Sequence, residues 1–75
     1  MTPTEVLVIC GRSPEWNAWR KSIGKPSTER EALYRKACEV DLQALTAAME
    51  NVAPQKRAGF KASIRLVNAR LASVA

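Results

Sequence analysis

The spacing of apolar residues predicts a mainly α-helical chain: a short N-terminal strand (or one-turn helix), a short helix, then a long antiparallel helical hairpin. Three observations carry this. Cys38, Leu42, Leu45, Met49 and Val52 step by four, three, four and three along the chain. Phe60, Ile64, Val67, Leu71 and Val74 repeat those steps. About three residues join the two helices, so the second has to return along the first. The 75 residues form a single small domain, with an N-terminal unit over 1–25 and the hairpin over 26–75.

At the N-terminus, Val6-Leu7-Val8-Ile9-Cys10 is an unbroken run of strand-forming residues and predicts a buried strand. The competing reading is a helix with Thr2 as N-cap, Pro3 at its first position, Glu5 reaching back to Thr2, and Gly11 as the stop. No second strand candidate exists, so a strand here needs the same strand of another copy, or a partner's sheet edge, to pair with. A chain this small also has little core of its own. A homodimer is therefore expected.

Ser13-Pro14-Glu15 supplies a serine cap, a first-position proline and an acid in the first turn, and so starts the short helix. Trp16, Trp19 and Ile23 follow at helical spacing, and Gly24 closes the element. Gly24-Lys25-Pro26 is a linker, and Thr28 with Glu31 forms a second capping box that opens a helix over 28–51. Beside its main seam lies a second stripe, Leu33, Ala37, Val40, Ala44 and Ala47, and Glu31, Arg35 and Glu39 make a ladder of opposite charges. The last helix spans 54–74, with an alanine row of Ala58, Ala62, Ala69 and Ala72. At 1.5 Å per residue the arms are about 36 and 31 Å long, so their seams match. The hairpin or dimer core is expected at Leu42, Leu45, Met49, Phe60, Ile64, Val67 and Leu71.

The net charge of +5 is lopsided. Residues 1–53 hold seven basic and seven acidic side chains, whereas residues 54–75 hold Lys56, Arg57, Lys61, Arg65 and Arg70 and no acid. A field of one sign favours acidic partners. The longest apolar run is five residues, far short of the ~20 that cross a bilayer, and nothing resembles a transit peptide. The cytoplasm of a bacterial host is the expected location, since twelve alanines, with seven arginines against five lysines, suit a bacterial or phage gene.

Catalytic chemistry has little to work with. Without histidine, no serine–histidine or cysteine–histidine pair can form. Cys10 and Cys38 lie 28 residues apart, no metal-ligand spacing, and read as small buried apolar residues. Gly11, Gly24 and Gly59 are isolated and make no phosphate loop. No catalytic, cofactor-binding or metal-ligating residue is assigned, and a non-enzyme is expected.

Two surfaces remain for binding. On the last helix Arg57, Lys61, Arg65 and Asn68 share one side, and Arg70 adds a further charge. Such a strip suits phosphates or an acidic protein. It would also suit an anionic membrane, but the apolar face of this helix is better explained as hairpin core. Trp16 and Trp19, followed by Arg20, form a protein-binding aromatic anchor, a platform for stacked bases or, more plainly, the cap of a small core.

The element order and the stretch Ala32-Leu33-Tyr34-Arg35-Lys36-Ala37-Cys38 loosely resemble ribbon-helix-helix repressors over residues 5–42. That resemblance implies a strand paired across a dimer, whose outward side chains read the major groove. Here Val6, Leu7, Val8 and Ile9 are all apolar, and none can donate to a base edge. With a helical N-terminus, Thr2 to Ile23 vaguely resembles a helix-turn-helix with Gly11 in its turn, though the tryptophans fall one position early. Neither likeness is specific. The expected function is a small interaction protein of phage or mobile-element type that inhibits or modulates an acidic or nucleic-acid-binding host protein, as anti-CRISPR proteins or polymerase and regulator inhibitors do. The alternative is a dimeric transcription regulator that binds DNA or RNA through the basic last helix.

Overall fold

Residues expected to form a strand form a helix instead. In the computed structural model, which describes residues 1–74, the order is α1 (Pro3–Cys10), α2 (Pro14–Arg20), α3 (Ser27–Glu50) and α4 (Arg57–Ser73). A 3₁₀ turn, Pro54–Lys56, leads into α4. No strand occurs among the described residues.

The reason for α1 is local. The Thr2 hydroxyl accepts the Glu5 N–H at 3.2 Å and donates to the Glu5 carboxylate at 3.1 Å, and Pro3 occupies the first position, whose N–H would have no partner. A lone strand would leave its backbone groups unpaired, whereas a helix satisfies them within the segment. Helical spacing then turns Val6 and Cys10 inward and leaves Val8 and Ile9 54% and 56% exposed. The strand route to a dimer is thereby lost.

Gly11 ends α1 in an ordinary right-handed conformation, and Arg20 donates to its carbonyl. Ser13 caps α2 as the sequence suggests, its hydroxyl accepting the Trp16 N–H at 3.3 Å. Ile23 does not join the tryptophans: α2 stops at Arg20, and Ile23 stands 80% exposed. The chain reverses at Gly24, whose φ of +92° suits a residue without Cβ. α3 starts a residue before the expected box, at Ser27, so Thr28 lies inside the helix and caps nothing. Asn51 ends α3 without entering the left-handed region.

α3 is the spine, packed against α1, α2 and α4. Near the connection Met49 and Glu50 share a groove with Arg57 and Lys61, and at the far end Arg35 donates to the Val74 carbonyl, so α3 and α4 run back along each other. Arg35 thus satisfies an open carbonyl at the end of α4, a favourable place for a cation. The core joins Val6 and Cys10 to Cys38, Leu45, Phe60 and Val67, and half-buried Leu42, Met49, Ile64 and Leu71 pack around it. The second stripe of α3 is largely covered: Ala37 is buried, Leu33, Val40 and Ala44 are half-buried, and Ala47 is exposed. The alanine row of α4 faces solvent. A Cβ at Gly59 would stand 3.5 Å from the Pro3 ring, which shows how closely α1 begins against α4.

The molecule is a slab of 43 × 22 × 14 Å with a radius of gyration of 13.2 Å. A compact chain of this length would have about 11 Å. Among the described residues no helix is long and apolar enough to cross a membrane.

Two substitutions test this arrangement by urea denaturation. Thr2→Ala should cost about 1 kcal/mol, the usual loss for a side-chain N-cap, and an unchanged midpoint would argue against α1. Phe60→Ala, at the centre of the core, should cost about 3–5 kcal/mol.

Candidate functional site

The structure separates the expected contact residues into an exposed strip and a packed corner. Lys61, Arg65 and Asn68 are exposed along one side of α4, and Arg57, half-buried, begins the same row. The Arg57 Nε is hidden from solvent and has no hydrogen-bond partner. Arg70 lies elsewhere, on the side of α4 toward Tyr34, Cys38 and Asp41, whose titration its charge influences.

Trp16 and Trp19 sit at the packed corner. Their rings meet edge to face, with centroids 5.6 Å apart, and each lies 5.6 Å from the Tyr34 ring on α3. Such contacts add roughly 0.5–1.5 kcal/mol per pair beyond area burial. Both tryptophans are half-buried, and Trp16 packs on the core. Arg20 is exposed beside them. Its guanidinium bonds the Asn17 side chain at 2.8 Å as well as the Gly11 carbonyl, which braces the turn between α1 and α2.

At the base of the corner Trp16 Nε1 donates to Asp41 Oδ1 across 2.9 Å. Asp41 is 3% exposed, and burial pushes its carboxyl above the usual aspartate range despite the Trp16 hydrogen bond and the nearby Arg70 charge, both of which favour the ionised form. Burial, reinforced by the Asp41 charge, also raises the Cys10 thiol. The Cys38 thiol is raised chiefly by burial too, against a lowering hydrogen bond with Tyr34. Both cysteines are free, buried and held protonated at neutral pH, the opposite of an activated nucleophile. Among the described residues no group of three or more potential ligands could hold a metal.

Sequence reasoning missed Asp41, Tyr34, Arg30 and Ser22. For Asp41 a signal existed: it lies three residues after Cys38 and four before Leu45, within the apolar seam. Arg30 sits over the Trp19 ring, 5.5 Å from its centroid, and donates from Nε to the buried Ser22 hydroxyl at 3.2 Å. Nothing in the local pattern marks that pair. No family model, curated protein or solved structure matches this chain.

The raised Asp41 carboxyl has a definite sign. The folded state holds this proton more firmly than the unfolded state, so its contribution is full below the unfolded pKa and is lost as pH rises through the raised value. Asp41→Asn keeps an acceptor for Trp16 and removes the desolvated charge. It should raise the urea midpoint at pH 7 and reduce the loss of stability as pH rises above the ordinary aspartate range. A lower midpoint at pH 7 would mean that attraction between Asp41 and Arg70 outweighs desolvation.

Proposed function

We propose that this chain is a small non-enzymatic interaction protein, of the type phages and mobile elements encode, which lays the basic face of α4 on an acidic surface of a host protein complex and so inhibits or modulates it. The observation that carries this reading is the disposition of α4. Arg57, Lys61, Arg65 and Asn68 follow one another along its outer side, in a segment without an acidic residue. Trp16 and Trp19, the other candidate contacts, are taken up by packing on Tyr34.

The choice of a protein partner rests on what borders the strip. Ala58, Ala62, Ala69 and Ala72 are exposed on the adjoining side of α4. Methyl groups beside cations suit a protein surface, where a flat face permits close approach and arginine supplies paired hydrogen bonds. Phosphate binding gains little from methyls. The antiparallel pairing of α3 and α4 serves as a stiff support for this face.

The second reading, direct binding of DNA or RNA, is favoured by the length of the strip. From Arg57 to Asn68 a helix rises about 16 Å, enough to meet several phosphates.

Capture from a nuclease-treated bacterial lysate separates the two. A tagged chain should retain one stoichiometric protein, and Lys61→Ala with Arg65→Ala should lower recovery roughly tenfold or more, the expected scale for losing charged hydrogen bonds. Recovery of nucleic acid alone from untreated lysate, with steeply salt-dependent duplex binding, would replace the protein-partner reading with the second.

A further inference from the structure

Beside Trp19, and away from the basic strip, a groove of about 330 Å³ runs between the turn after α2, the first turns of α3 and the end of α4. We propose that this groove binds a flat aromatic ring bearing a single carboxylate. Its volume is at the small end of the range for ligand sites, roughly 300–1,000 Å³.

The argument begins with Arg30, which lines the groove. Its Nε is held by the hydroxyl of Ser22, a side chain only 1% exposed, and its guanidinium lies over the Trp19 ring, 5.5 Å from the centroid. These two contacts restrain the guanidinium before any ligand arrives. With Nε engaged, the terminal nitrogens Nη1 and Nη2 are the pair left to meet a carboxylate end-on through two parallel hydrogen bonds. Preset side chains lose less freedom on binding.

The wall is aromatic. Trp19 and Tyr34 line the groove at a mutual tilt of 52°, and Trp16 packs against both rings from behind. Neither ring can collapse inward without breaking those contacts. They offer a ring-shaped ligand a surface of its own kind. Charge sets the rest of the specificity. Lys25 and Glu31 also line the groove, so with Arg30 the described lining residues carry two positive charges and one negative. A net of one positive charge suits a monocarboxylate better than a phosphate dianion.

The test uses the full chain, ¹⁵N-labelled, titrated with 2-naphthoate. Saturable shifts should centre on the Trp19 indole N–H and the Gly24 and Ser27 amides. Acetate, which lacks the ring, and 2-naphthylmethanol, which lacks the charge, should each bind at least about tenfold more weakly. Lys25→Ala should weaken 2-naphthoate binding several-fold and Glu31→Gln should tighten it. Both positions are exposed, so the fold tolerates both changes. The proposal is overturned by a response that does not saturate, by acetate acting as strongly as 2-naphthoate, by shifts centred on Lys61 and Arg65, or by affinity indifferent to both substitutions.

Discussion

The hydrogen bond from the Trp16 indole to the Asp41 carboxylate joins the first third of the chain to its spine, across 25 residues of sequence. α2 has no fully buried residue, so it cannot hold its place through a private core. It is held by half-buried aromatic rings on Tyr34 and by this one bond into the interior. Asp41 in turn depends on Trp16, because a buried carboxylate without a donor carries its full desolvation cost. Each makes the other tolerable. The same corner fixes Trp19, and through Trp19 the position of Arg30 and the groove it lines.

Helical class and the positions of the two long helices were legible, because a seam stepping by four and three over 15 residues admits one period only. The N-terminus was not. Its β-branched residues argue for a strand, but strand preference describes a pairing surface, and no partner strand exists among the described residues. The cap at Thr2, two hydrogen bonds within four residues, decided the matter locally. Thr28 and Glu31 show the reverse error: the motif is present, yet α3 begins before it. Of the candidate contacts, the strip on α4 follows from spacing alone. The corner of Trp16, Trp19, Tyr34, Arg30 and Asp41 does not, since it joins α2 to α3 and only the folded chain brings those elements together. Arg20, Arg35 and Arg70 likewise read as surface charge in one dimension. In the fold, Arg20 and Arg35 bond backbone carbonyls, and Arg70 stands near the buried carboxylate.

A chain of this size that builds a slab rather than a sphere keeps most of its side chains at a surface. Its core is correspondingly small, and much of it lies along α3 and α4. Shape and charge are what the exposed surface offers. The two proposed sites divide these between them. One uses an extended row of cations with methyl groups beside it, suited to a broad partner. The other uses a preset guanidinium against aromatic rings, suited to something small.

The charge layout also affects how an encounter begins. All seven acids lie on α1, α2 and α3, while α4 and the turn leading into it carry only bases. Because α4 lies lengthwise along α3, positive and negative charge are displaced across the slab rather than from one end to the other. The resulting electric moment has a component perpendicular to the long axis, and an acidic surface tends to rotate that component toward itself before contact. The molecule is thus turned broadside on approach, with the whole length of one helix presented at once.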